Sequence, residues 1–327
     1  MDMSALDLPL DDTGEMLREA IRRLLADTPE PGWDDLAAKL GLAGLTVPER
    51  SGGFGGGVVE VALIAAELGP ALAASAWLSH AAACHALGAV AGDHPLLPAL
   101  AEGRDRAALV SVEVLGNQCH ARLVPGAASA SVLVVTDGSA VALLAPDAPG
   151  LERRARAMLD GSEAADLVFA GAVLEPLGRL PQGISPAALV EAGRCAEAVG
   201  IMARMMAETA AWLGERKQFG APIASFQALR HRFADMQMAT MQARALTEQA
   251  VIALACGKSD AEDAALAAAA VMVRDAARVV GEGAVQLHGA MGLTEELRLG
   301  ARFKRLLALA AALGSEEALL ARFAAAA

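Results

Sequence analysis

The chain has 327 residues, of which 55% are hydrophobic, and its formal net charge is -12. That length can bury a sizeable core and suggests two or three domains, while the acidic balance argues against a nucleic-acid surface, which needs clustered Lys and Arg. No uncharged apolar run approaches the roughly 20 residues that a bilayer requires, and the acidic opening Met1-Asp2-Met3-Ser4 lacks the basic and apolar regions of an export signal, so a cytoplasmic protein without a membrane span is expected.

From Asp12 to about Glu102 the pattern is helical. Met16, Leu17, Ile21, Leu24 and Leu25 recur at helical spacing, and further apolar helices follow, broken by glycine and proline. The run Gly52-Gly53-Phe54-Gly55-Gly56-Gly57 invites a phosphate-binding reading because bare backbone lets N–H groups approach an anion. No Gly-Lys-Ser/Thr follows it and no strong strand precedes it, so a flexible loop between helices is expected.

Between about Ala107 and Val173 the pattern changes to alternation and short apolar runs: Leu109 to Val114, Val132 to Thr136, Ala140 to Leu144 and Asp166 to Leu174. Asp137-Gly138 between two of these is a hairpin signal. After Pro186 the helical period returns. Val199, Met202, Met206 and Leu213 mark one apolar face; Phe226, Leu229, Phe233 and Met236 mark the next, and both read as core. An Ala-rich helix from about Glu262 to Val280 and another from about Thr294 to the end complete a four-helix bundle. The expected fold is mainly α with a small β domain: an N-terminal helical domain over residues 1–105, a small, shortened β domain over 106–178, and a C-terminal helical bundle over 179–327.

Cys84, Cys119, Cys195 and Cys256 stand far apart, with no Cys-x-x-Cys pair and no histidine at ligand spacing. They read as buried reduced thiols, and no metal is expected.

Chemistry concentrates in two segments. The first is Arg216-Lys217-Gln218-Phe219-Gly220-Ala221-Pro222, running on to Phe226-Gln227; the second is Gln286-Leu287-His288-Gly289-Ala290-Met291-Gly292. A guanidinium is always charged and its planar fork fits phosphate oxygens two at a time. With the amide of Gln218 and the ring of Phe219 beside it, Arg216 suits a cofactor carrying phosphate, ribose and flat rings. The same residues also read as a solvated Arg-Lys pair at a helix end followed by a Gly-Ala-Pro turn.

Together and in this order, the two segments resemble the acyl-CoA dehydrogenase family, in which an Arg-x-x-Phe-Gly stretch is followed by a Phe-Gln or similar pair and then by Gln-x-x-Gly-Gly-x-Gly. Here Ala290 replaces the second glycine. The resemblance implies the same three-part architecture, with a half-site for FAD and the oligomer interface on the C-terminal bundle. It also implies that Arg216 and Gln218 reach the FAD of a neighbouring subunit, that Gln286 and Gly289 lie along its ADP part, and that Phe219 and Gln227 belong to the same site. The stretch Val47-Pro48-Glu49-Arg50-Ser51-Gly52-Gly53 matches a family segment near the acyl-CoA entrance.

The family's reaction is α,β-desaturation of an acyl-CoA thioester: a carboxylate removes the α-proton and the β-hydrogen leaves as hydride to the flavin. The usual base precedes a Gly-Thr or Gly-Ser step, and that position holds Leu313, before Gly314-Ser315, so the catalytic base of this chain is unknown. An alternative family position falls on Val190. Glu191 is its neighbour, but one residue turns the side chain by about 100°; Glu316 and Glu317 have weaker claims. The loop that cradles the flavin ring, Thr-Glu-Pro-Gly-x-Gly-Ser-Asp in the family, corresponds to Ser111-Val112-Glu113-Val114-Leu115-Gly116-Asn117-Gln118, and no Trp lies between Trp77 and Trp212.

A surviving FAD half-site without base or ring cradle resembles the short degenerate subunits of heteromeric (α2β2) acyl-CoA dehydrogenases that shorten steroid or bile-acid side chains. The resemblance implies an oxidoreductase of lipid metabolism whose FAD is shared across a subunit interface. Its partners would be an acyl-CoA substrate, a full-length acyl-CoA dehydrogenase subunit and an electron-transfer flavoprotein or similar acceptor. Two other readings stand beside it: an active homo-oligomeric dehydrogenase using Glu191, and a non-redox structural or binding protein on the same scaffold.

Overall fold

The computed structural model describes residues 6–10, 12–114, 119–183, 185–257, 259–294 and 297–326. It is mainly helical with a small β region. The chain forms two compact units, one from residues 12–64 and 73–190, the other from 6–10, 65–72 and 191–326.

In the first unit, helices α1 (Asp12–Asp27), α2 (Val58–Leu68, shared with the second unit), α3 (Ala74–Val90) and α4 (Leu97–Ala101) precede seven strands. Within α1 only part of the expected face is core: Ile21 is fully buried, whereas Met16 is 74% exposed. Met16 stands at the edge of the apolar stripe. Helix α3 is apolar on nearly all sides and accordingly buried, from Trp77 to Gly88.

Two hydrogen-bonded devices seat α3. The Trp77 indole N–H donates to the Leu42 carbonyl at 2.9 Å. His80 bridges two segments, with Nδ1 accepting from the Ala107 amide at 3.0 Å and Nε2 lying 3.1 Å from the Ala43 carbonyl. The Ala107 bond identifies Nδ1 as the acceptor, so Nε2 carries the proton and donates. Burial pushes the imidazole down to about 4.

The Gly52 to Gly57 segment is not the free loop its composition suggests. The amides of Phe54, Gly55 and Gly56 donate to the carbonyls of Gly44, Val47 and Leu45 at 3.0, 2.9 and 2.8 Å. Those donors are used internally, which removes a phosphate cradle as well as the slack. A Cβ on Gly53 would lie 2.1 Å from the Val47 carbonyl oxygen, so close approach of two backbones is what demands glycine there.

Strands β1 (Ala107–Ser111), β3 (Val132–Thr136), β4 (Ala140–Leu144) and β7 (Glu175–Arg179) form one sheet in the order β1-β3-β4-β7, with β1 and β3 parallel. Strands β2 (His120–Pro125), β6 (Glu163–Phe169) and β5 (Leu151–Ala157) form a second, antiparallel sheet. The apolar faces meet in a core that includes Val110, Leu133, Leu144 and Leu167. The hairpin at Asp137-Gly138 is present: Gly138 has φ +87, and the Asp137 carboxylate accepts from the amides of Ser139 and Ala140.

In the second unit, α5 (Pro186–Glu215), α6 (Gln227–Cys256) and α7 (Ser259–His288) run 30 residues each. The expected fourth helix is broken in two, α8 (Leu299–Ala312) and α9 (Glu316–Ala326), by Gly314 at φ +103. On α5 the expected face, Val199, Met202, Met206 and Leu213, is core; at the start of α6, Met236 is buried but Phe226 is 38% exposed. Phe226 departs because it caps the helix in extended backbone, off the stripe that the helical repeat defines.

Helices approach closely where glycines allow it: a Cβ on Gly200 would meet the Ala66 carbonyl at 2.0 Å, and one on Gly281 would meet the Phe303 ring at 2.2 Å. Arg305 forms a two-bonded pair with the fully buried Glu197, at 2.7 and 2.8 Å, and Arg302 reaches Glu208 at 2.7 Å.

All four cysteines are free. Cys84 and Cys195 are buried, and burial pushes both thiols up; Cys119 is half-buried and Cys256 exposed, contrary to the expectation that all four are interior. Cys256 closes α6 just before Gly257, which caps the helix in the left-handed region. Among the described residues, no helix is long and apolar enough to cross a membrane.

Two outcomes follow for stability. Gly53→Ala should lower the unfolding free energy by roughly 2 kcal/mol or more, because the contact is backbone and cannot yield cheaply; urea unfolding measures it. His80 stays neutral when folded and takes its proton near pH 6.5 when unfolded. Stability is therefore full above that pH and falls toward about pH 4, by about 3 kcal/mol in all. Urea midpoints between pH 7 and 4.5 should drop less steeply in His80→Gln than in the wild type.

Candidate functional site

Helix α5 ends at Glu215 and the chain turns at once into a short hairpin. Strands β8 (Lys217–Gln218) and β9 (Ala221–Pro222) pair with Lys217 opposite Pro222 and Gln218 opposite Ala221. The two turn residues, Phe219 and Gly220, both lie in the left-handed region, at φ +53 and +81, as a two-residue turn between right-twisted strands requires. Glycine does this freely, but a phenylalanine there is strained by about 1 kcal/mol or more. At this tip the Phe219 ring is 93% exposed, edge-on to Phe226 with centroids 6.1 Å apart. Below the tip, the Ile223 amide donates to the Arg216 carbonyl at 2.8 Å, and buried Ile223 anchors the hairpin base.

Arg216 leaves the end of α5 with its amide donating to the Trp212 carbonyl at 2.9 Å. Its guanidinium carbon lies 5.8 Å from the centre of the Trp212 ring, within cation–π range. No carboxylate pairs with it among the described residues. The other side of the column is His288, whose ring stacks on Trp212 at 5.3 Å with a 21° tilt. His288 is 6% exposed, and its Nδ1 lies 2.9 Å from the Ala284 carbonyl.

This stack joins the two segments that the sequence singled out. His288 ends α7, Gly289 follows at φ +64, and the chain continues as a 3-10 turn, Gly289–Leu293. A Cβ on Gly289 would meet nothing within 4 Å, so glycine serves the backbone angle there rather than a tight contact. Gly292 is the crowded position, where a Cβ would come within 2.9 Å of the Val285 carbonyl. Arg216, Gln218, Phe219, Gln227, Gln286, Gly289 and Ala290 are all exposed. The structure therefore links Arg216 to the Gln286 and Gly289 segment through Trp212 and His288, and links Phe219 to the start of α6 at Gln227 through Phe226. Trp212 in the last turn of α5 and Arg216 just past its end are four residues apart, a spacing that already brings them together. No sequence signal pairs Trp212 with His288, since 76 residues of chain separate them.

The donor set fits the phosphate-bearing half of a dinucleotide: an exposed guanidinium without an acidic partner among the described residues, three exposed side-chain amides and an exposed aromatic plate. Of the stretch matched to the flavin-ring loop, Glu113 and Val114 are exposed, and residues 115–118 lie outside the described residues.

At the expected base position, Leu313 is 6% exposed at the C-terminus of α8. The carbonyls around it are taken by cations: Arg194 donates to the Ala312 carbonyl at 3.2 Å, and Arg274 donates to those of Ala310 and Gly314. Guanidiniums here complement the negative end of the helix. Glu191 is bound by Arg322, whose Nη1 lies 3.0 and 3.2 Å from its two carboxylate oxygens, and Arg322 also bonds Asp263. Glu316 and Glu317 are exposed in the first turn of α9.

The residues match two family models: acyl-CoA dehydrogenase, N-terminal domain, over residues 11–104, and acyl-CoA dehydrogenase, C-terminal domain, over 191–327. The chain is 33% identical over 309 residues to the acyl-CoA dehydrogenase IpdE2 of Mycobacterium tuberculosis, covering 89% of this chain and 90% of that protein. Among solved structures, it resembles a variant of the Tcur3481-Tcur3483 steroid ACAD, with TM-score 0.84 at 23% identity over 96% of this chain and 97% of the other. It also resembles the ChsE4-ChsE5 complex of Mycobacterium tuberculosis, again with TM-score 0.84, at 22% identity over 98% of each chain.

The strained hairpin tip is directly testable. Phe219→Asn creates the Asn-Gly pair that a two-residue turn favours, and should raise the unfolding free energy by up to about 1 kcal/mol in chemical denaturation.

Proposed function

The chain belongs to the acyl-CoA dehydrogenase family of oxidoreductases, and from that premise we propose that it is one subunit of a hetero-oligomeric, FAD-dependent acyl-CoA dehydrogenase, completing a dinucleotide site whose other half lies on a full-length subunit. The observation that carries this reading is the pairing of an available guanidinium at Arg216 with a leucine, Leu313, at the position of the base. The chain offers contacts to a cofactor but no proton acceptor of the expected kind.

In this reading Arg216 would hold the pyrophosphate through a charge-assisted contact. Gln218 and Gln286 supply amide donors and acceptors beside it, Phe219 offers an apolar plate, Gln227 lies at the adjoining start of α6, and Gly289 leaves backbone bare at the end of α7. FAD, when bound, supplies the hydride acceptor for α,β-desaturation of the acyl-CoA thioester. The α-proton goes to a carboxylate of the full-length subunit, since leucine cannot accept it. Glu191 is occupied by Arg322 in a two-oxygen ion pair, which anchors it as a structural residue. That supports the division of labour over a homo-oligomer using its own base.

The substrate class in this reading is an acyl-CoA with a bulky steroid or bile-acid side chain. Support comes from the likeness to the Tcur3481-Tcur3483 steroid ACAD and from the motif pattern of a short subunit. Electrons leave to an electron-transfer flavoprotein or a similar acceptor.

The purified chain alone is expected to be colourless or to hold FAD weakly and to show no desaturation. Co-expression with a full-length acyl-CoA dehydrogenase should give a yellow, active complex, and Arg216→Ala should lower its flavin content about tenfold or more. Absorbance near the flavin bands and dye-coupled oxidation of acyl-CoA read both. Yellow, active enzyme from this chain alone would overturn the proposal.

A further inference from the structure

We propose that Trp212 and His288 form a positioning unit for Arg216: the indole, braced on a half-sandwiched imidazole, holds the guanidinium where the dinucleotide phosphates are met. The inference rests on the reading of Arg216 as the cofactor-binding arm and adds two residues to it.

An arginine on the surface samples many rotamers, and each must be surrendered when it binds. Arg216 is exposed and its side chain makes no hydrogen bond or ion pair among the described residues, so the Trp212 ring at 5.8 Å is the contact that restrains it. A single exposed indole would itself be mobile. Trp212 is not, because its ring stacks on His288 at 5.3 Å, and His288 is 6% exposed and held at 2.9 Å from the Ala284 carbonyl. The column thus runs from the interior of α7 through the end of α5 to the cation.

Its geometry has a functional consequence that mere sealing of the bundle lacks. His288 lies between exposed Gln286 and exposed Gly289 on the second motif, while Trp212 lies one turn before Arg216 on the first. The stack therefore sets the distance between the guanidinium and the α7 groups that address the same ligand. Pre-arrangement of this kind raises affinity without adding a contact.

The test is calorimetric titration of ADP into the flavin-free complex of the chain with its full-length partner. Arg216→Ala should weaken binding about tenfold, the worth of a charge-assisted contact. Trp212→Leu should weaken it about fivefold, Trp212→Phe should stay within about twofold because a flat ring remains, and the Arg216→Ala/Trp212→Leu double variant should be no weaker than Arg216→Ala, since the effect of Trp212 acts through the cation. The Arg216 Nε–H resonance should carry a ring-current shift in the wild type and in Trp212→Phe that Trp212→Leu abolishes. Should Trp212→Leu fail to fold, His288→Gln replaces it, with an expected loss of about threefold for removing the flat support.

Wild-type ADP affinity in a folded Trp212→Leu or His288→Gln chain, or additive losses in the double variant, would overturn the positioning role while leaving the Arg216 reading intact. If the Arg216→Ala complex binds ADP like the wild-type complex, or the wild-type complex takes up none, the Arg216 reading itself fails and the positioning role with it.

Discussion

The helical unit depends on a largely buried charge pair. Glu197 is fully buried on α5, and its carboxylate is satisfied by two bonds from Arg305 on α8. Removing one partner of such a pair leaves an uncompensated interior charge and costs about 3 to 5 kcal/mol, so α8 has one acceptable register on α5. Arg302 reinforces that register, bonding Glu208 one side and the Pro70 carbonyl on the other. With α8 fixed, its C-terminus is fixed too, and Arg194 and Arg274 can reach the carbonyls around Leu313.

The same long helix that carries Glu197 in its interior carries Trp212 and Arg216 at its end. A helix held along its length by buried charge and by the glycine contact at Gly200 delivers its last turn to a defined place. There the backbone accepts strain at Phe219, which a more permissive residue would avoid. Strain at an exposed aromatic tip makes sense where the ring has something to meet, and it agrees with the cationic arm beside it. Leu313, where the family resemblance leads one to expect a base, is by contrast part of the core. A buried leucine ringed by capped carbonyls contributes to stability and offers no proton chemistry.

Much of this was visible in the residues. The three-part succession of helices, strands and helices follows from a change in apolar period, and Asp137-Gly138 marked its hairpin correctly. Strands β3 and β4 are legible because both faces are buried and the apolar runs are unbroken. Strand β5, Leu-Glu-Arg-Arg-Ala-Arg-Ala, is not, since all but its first residue are exposed and no alternation survives. Strands β2 and β7 are similarly hidden by polar or proline-bearing sequence. The glycine run read as slack because composition reports backbone freedom but not the partners that consume it.

At the candidate site, residue type and order single out Arg216, Gln218, Phe219, Gln227, Gln286 and Gly289 as candidates and rule out Leu313 as an acid or base, because these are statements about functional groups. Chain order could not say that Glu191 would be claimed by Arg322, or that His288 would lie flat on Trp212. Both are contacts across long sequence separations, decided by how 30-residue helices pack. The chemistry available was written into the side chains one by one; which groups are spent on one another, and which are left for a ligand, was decided only when tertiary packing brought distant helices within bonding distance.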